Sequence, residues 1–168
     1  MTNNSGHNPL AIANHFIELN NLDNEKGLSL VKLIKLSYIS HGFTLAILDK
    51  PLSEQPAEAW KYGPVFPMIY HEFKYHKDIY KITEKAKFPF ESKFYESNFN
   101  DKEKEIMKVV FNKHQEDSGE KLITLTHEID GPWHQAWKKG GHFEKNYQID
   151  NEEIKKYYKK KIAQTNVE

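Results

Sequence analysis

Nine histidines are the first residues in this chain that could do chemistry. His71 and His76 bracket Glu72 on a predicted helix, close to the arrangement that holds zinc. That arrangement needs two imidazoles four residues apart, so that both leave one helix face. A spacing of five puts them about 140° out of phase at about 3.6 residues per turn. The chain has no cysteine to supply thiolates, so neither a metal nor any other cofactor is expected. Thr126, His127 and Asp130 are the second grouping, and on their types they could form a hydroxyl–imidazole–carboxylate relay. No glycine-framed nucleophile turn surrounds them, and nothing in the sequence supplies an oxyanion hole. His127 is instead expected to end a helix, bonding a backbone carbonyl or packing on Trp133. Gly140-Gly141 lacks the third glycine or the Lys-Ser/Thr of a phosphate loop. Glu54, Glu58, Glu152 and Glu153 read as solvated carboxylates. The residue types point away from an enzyme.

The elements that would position such side chains centre on Trp60-Lys61-Tyr62-Gly63-Pro64-Val65-Phe66-Pro67. Each proline removes a backbone donor and steers the residue before it out of the helical region. Gly63 opens backbone angles closed to other residues. The segment reads as a stiff aromatic elbow, with Pro64 and Pro67 starting a third helix that runs to about Tyr75. Trp60 and Tyr62 are either core or partner contacts on this reading. Leu33, Leu36 and Trp133 are expected to be core.

Around the elbow the apolar spacing predicts further helices. One opens at Asn8-Pro9 and runs through Leu19, followed by a polar loop over 20–27. A second spans about Ser29 to Leu48 and is apolar on two faces, as expected of a bundle's central helix. Ala57 to Lys61 could be extended, and 79–83 resembles a strand fragment. Phe88-Pro89-Phe90 reads as a packing clip. Asn100 with Glu103 forms a capping box, and Asp117 with Glu120 is read as a second. Gly131-Pro132 starts a short helix, Gly140-Gly141 is a flexible break, and Asp150 with Glu153 caps a final helix to about Ala163. The expected fold is mainly α: a compact single-domain helical bundle with irregular loops and at most a small β element. Residues 1–8 are expected to be a disordered lead, 9–163 the domain and 164–168 a disordered tail.

Composition narrows the partners. Basic and acidic residues balance at 24 each, and every basic residue is lysine. Arginine supplies the planar fork that reads guanine edges and clamps phosphates, so nucleic acid is not an expected partner. Lys155, Lys156, Lys159, Lys160 and Lys161, interleaved with Tyr157 and Tyr158, could form a nucleic-acid strip, but cations at a helix C-terminus account for them more simply. A helix-turn-helix over 9–48 would need a turn far shorter than the predicted loop. The apolar runs are read as too short for a membrane span. The absence of cysteine suits a reducing, cytoplasmic setting.

Three segments together resemble the Panacea domain of phage-associated SocA- and GepA-like antitoxins. They are the helix Leu30–Ile39, the elbow Glu58–Val65 after Pro51-Leu52, and Leu122, Leu125-Thr126-His127 with Pro132-Trp133. The resemblance runs over about residues 9–160 and does not draw on 76–99. It implies an antitoxin that neutralises an adjacently encoded toxin by direct protein–protein binding, with a role in phage defence. Delivery of the toxin to a cellular protease is the second form it allows, and a DNA-binding transcriptional regulator is the alternative. The motif or partner-binding residues it marks are Trp60, Tyr62, Gly63, Pro64, Val65, Thr126, His127, Pro132 and Trp133.

Overall fold

A computed structural model describes residues 5–23 and 27–165, except the side chain of Asp23. The chain folds as α1 (Pro9–Asp23), α2 (Leu30–Leu48), β1 (Glu58–Trp60), β2 (Gly63–Val65), α3 (Pro67–Phe73), α4 (Asp101–His114), α5 (Gly119–Thr126), α6 (Pro132–Ala136), a π-helical turn at Trp137–Gly141, and α7 (Asn151–Thr165). The mainly α expectation holds, with one two-stranded antiparallel hairpin as the sheet.

α2 is the axle. Helices α1, α3, α4, α5 and α7 all pack on it. Leu33, Leu36, Ile39 and Leu45 are buried, and so are its polar residues Ser37, Ser40, His41 and Thr44. Ser37 and Thr44 satisfy their hydroxyls inside the helix, donating to Leu33 O and Ser40 O at 2.7 Å each. Ser29 accepts from Lys32 N to start the helix, and Asp49, at φ 56°, ends it in a left-handed cap. By length and composition alone α2 could cross a membrane, contrary to the sequence expectation, but 72% of its most apolar window is buried within this fold.

His41 joins three parts of the fold. Its Nδ1 accepts from Ser53 N at 3.2 Å, and its Nε2 lies 3.0 Å from Asn151 Oδ1. Burial pushes this imidazole down to about 4, with the Asn151 bond opposing. The ring is therefore neutral, with Nε2 carrying the proton toward Asn151.

Several expectations are corrected. α1 continues through 20–23, where a loop was expected. Asn20 turns into the core, and Asn21 Nδ2 donates to Thr83 O, so tertiary ties override the turn propensity of these asparagines. The remainder of that expected loop, 24–26, lies outside the described residues. α3 begins at Pro67 rather than Pro64, because Pro64 belongs to β2. The 79–83 fragment reduces to one bridge, Leu28 with Ile82. The cap of α5 is Ser118, not Asp117, whose carboxylate is taken by His114 and Lys121. Gly140-Gly141 is a packed π turn rather than a break. A Cβ on Gly140 would lie 2.2 Å from the Tyr147 ring, and one on Gly141 would lie 2.9 Å from Ala59 Cβ.

The expected lead is anchored at residues 5–8. His7 N donates to Leu52 O, and Glu54 N donates to His7 O. α7 likewise carries order through Thr165, two residues past the expected end of the domain. The capping box of α4 stands, with both reciprocal bonds between Asn100 and Glu103 present. At α7 only Asp150 engages, accepting from Glu152 N at 2.8 Å. Of the expected clip Phe88-Pro89-Phe90 only Phe88 packs, since Pro89 and Phe90 are exposed, and the segment 86–95 is held by other contacts. Its Phe88 and Tyr95 rings stack at 4.1 Å, and buried Asn14 bonds Ala86 N, Ala86 O and Tyr95 O.

Candidate functional site

The elbow is a hairpin whose two-residue loop is Lys61-Tyr62, with Trp60 facing Gly63 across the strands. Its outer edge is completed by residues 147–149. Ala59 N donates to Tyr147 O, and Ile149 N donates to Ala57 O. Pro64 has no N–H to give the ladder. Its carbonyl instead accepts from Lys35 Nζ at 3.0 Å, which fastens the hairpin to α2.

Gly63 is required by this contact. It holds φ +112°, in the region that favours glycine. A Cβ there would lie 2.5 Å from Lys35 Nζ and 3.2 Å from Thr126 Oγ1. Lys35, on α2, is 2% exposed. Burial alone pulls its ammonium down to about 7. A lysine surrounded by apolar residues on both helix faces cannot reach solvent, and that sequence signal would have identified Lys35, which the sequence reading passed over.

The second half of the site comes from α5, α6 and the turn between them. Thr126 donates to Leu122 O and Ile123 O, so its hydroxyl is spent on the helix end. His127 caps α5 and lies face to face on Trp133, with centroids 3.8 Å apart and planes 3° apart. This is the packing alternative foreseen for it. Pro132 occupies the first turn of α6 and Trp133 follows, both buried. Trp133 Nε1 donates to Trp60 O at 2.7 Å and so ties the two halves together.

The predicted residues Trp60, Gly63, Pro64, Thr126, His127 and Trp133 therefore converge, with Lys35 beneath them. Val65 is buried in β2 and Pro132 in α6 as supporting core. Trp60 is half-buried, set edge-on to Tyr70 at 5.0 Å, with its Nε1 bonded to Glu58. Tyr62 alone projects, 65% exposed at the hairpin tip.

The arrangement does not assemble a nucleophilic relay here. Asp130 turns to His134, whose Nδ1 accepts from Asp130 N, and it does not orient His127. The His127 imidazole is held below its ordinary value, mainly by burial and next by the charge of Lys35, while a backbone bond at Tyr62 opposes. Its Nε2 is buried without a hydrogen-bond partner among the described residues. His71 lies against Trp60 and Tyr70, whereas His76 points at Glu84 4.0 Å away, so the two imidazoles diverge. Among the described residues no three His, Asp or Glu side chains converge as metal ligands.

One polar trio escaped the sequence reading because His7 lies 90 and 96 residues from its two partners. His7 Nε2 lies 2.8 Å from Glu103 Oε2, and His7 Nδ1 contacts Ser97 Oγ. Glu103 also caps α4 through its other oxygen, and the His7 ring lies 4.4 Å from Phe99. The trio fastens the amino-terminal segment to α4.

A family model described as "Antitoxin SocA-like, Panacea domain" matches residues 33–134. The match takes in Lys35, the hairpin and the His127–Trp133 stack, and it is narrower than the span of 9–160 expected from sequence. No curated protein matches the chain, and no solved structure does. The match covers more than half of the chain and holds every residue of the elbow cluster, so the chain belongs to the SocA-like antitoxin family built on the Panacea domain.

Proposed function

We propose that this protein neutralises a toxin encoded beside it by binding it directly, without chemistry of its own. The observation that carries this reading is the antitoxin family match, whose span encloses the elbow cluster. Supporting it, the side chains of that cluster with catalytic potential are committed to structure: Thr126 to backbone carbonyls, His127 to Trp133 and Lys35 to Pro64. Of the motif residues, Trp133, Pro132 and Val65 are structural on this reading, and Tyr62 is free to touch a partner. The partner is the cognate toxin, met in the cytoplasm, and handing it to a cellular protease is a further consequence the same binding would permit.

A DNA-binding regulator is less well supported. α2, the helix that would have to enter a groove, is buried along most of its length. On α7, Lys155, Lys156 and Lys161 are paired with Asp49, Glu153 and Glu128. Co-expression with the product of the adjacent gene tests the proposal. Growth should resume when this protein is induced, and arrest that persists at equal expression would refute it. A gel shift on its own promoter, lost steeply with salt, would favour the regulator instead.

A further inference from the structure

α4 and α7 both pack on α2, and between them they leave a trough over its carboxyl-terminal half. Its volume is about 670 Å³. Phe43 and Ile47 of α2 form the floor, with Val109 of α4, Leu125 of α5 and Ile162 of α7 around it. Ile47 is 53% exposed, Val109 59% and Leu125 43%, which is unusual for large aliphatic residues that share one depression. A floor this open suits a helix better than a small molecule, which normally buries about 70–90% of its surface in its pocket.

The rim charges say what the helix must carry. Lys102 is matched by Glu105 at 3.8 Å, and Lys161 by Glu128 at 2.8 Å. Lys113 lines the α4 wall with no ion-pair partner among the described residues. From Lys102 to Lys113 the wall runs about 16 Å, or about three helical turns.

We propose that this trough is the docking site for an amphipathic helix of the toxin. That helix is about three turns long, apolar on the face it inserts and acidic along the edge that meets Lys113. Laid between α4 and α7, it would fill the open position beside α2 and be read as apolar anchors at helical spacing. The inference rests on the toxin-binding reading above and adds the surface that performs it.

The test is an affinity titration of the full-length protein against an inactivated form of the adjacent gene's product. Val109→Asp combined with Leu125→Asp should weaken binding by about a hundredfold or more, as expected for loss of central apolar anchors. Ile47→Lys is the second probe, should the double variant melt early. Lys113→Glu should weaken binding by about tenfold at low salt, and by less as salt rises. Wild-type binding that all of these variants share would overturn the trough and leave toxin binding standing. Failure of the wild type to bind would overturn both. A concentration-dependent dimer, broken by Val109→Asp, would assign the trough to a second copy of this chain and refute the proposal. An apolar small molecule carried through purification and released on denaturation would refute it too.

Discussion

Lys35 places an ammonium group out of reach of water, with Pro64 O as its one hydrogen-bond acceptor among the described residues. Its ordinary value of 10.5 falls to about 7 in the fold, with burial as the cause. The folded value lies below the unfolded one, so folding is penalised whenever the amine is charged. The penalty is complete below about pH 7 and is relieved as pH climbs toward the unfolded value. Relative to Lys35→Met, the wild type should therefore gain stability between pH 7 and 9, by up to about 1.4 kcal/mol per pH unit. Urea midpoints of the two proteins at pH 7, 8 and 9 measure this. The window stops there because burial raises the Tyr38 and Tyr158 phenols, whose late ionisation works in the opposite direction. A difference that stays flat would mean that the amine is hydrated or neutralised by another charge. The sequence revealed the elbow's members but not what binds them. Gly63 and Trp133 could be recognised by type, whereas the Lys35–Pro64 bond joins residues 29 apart through a carbonyl that every residue possesses.

Among the elements, α2 and α7 meet where α2 has no side chain. A Cβ on Gly42 would lie 2.2 Å from Tyr158 Cε2, so the tyrosine ring lies directly on the helix backbone. Phe43 and Tyr38 flank that ring, at 4.8 and 6.3 Å between centroids. Alanine is a better helix former than glycine by about 1 kcal/mol. Overpacking costs about 1–3 kcal/mol, so Gly42→Ala should destabilise on balance, and Tyr158→Leu in the same chain should recover part of the loss. Thermal melts of the single and double variants decide it, and an unchanged melting temperature for Gly42→Ala would deny the contact. Helix positions followed the apolar spacing well, and Asn100 with Glu103 marked the start of α4 in advance. The ends of helices were harder to read. Asn20 and Asn21 carry the turn signal that predicted a loop, yet burial of Asn20 and the bond from Asn21 to Thr83 O accompany a helix that runs on. Gly140 and Gly141 have the composition of a break, yet they serve as close-packing points under Tyr147 and on Ala59.

Across the whole molecule, the central helix is completed early in the chain and enclosed late. α2 ends at Leu48, and its most extensive neighbour, α7, begins at Asn151. A chain ending at Asp150 should therefore be insoluble or rapidly cut by protease, and a soluble truncation that melts cooperatively would contradict this packing order. The span of α2 could be read from its apolar residues and the start of α7 from Asp150, but their pairing could not. A pattern along one helix fixes which face is buried and leaves open which distant segment covers it. The order of enclosure also bears on synthesis. A ribosome adding about 5–20 residues per second needs about 5–20 s to travel the hundred or so residues from α2 to α7. Throughout that interval the face of α2 that α7 will cover, around Tyr38, Gly42 and Phe43, stays open to every chaperone and quality-control protease nearby. A fold able to hide that face therefore exists only once α7 has been made, and a message cut short before Asn151 yields degradable fragments rather than a smaller stable domain.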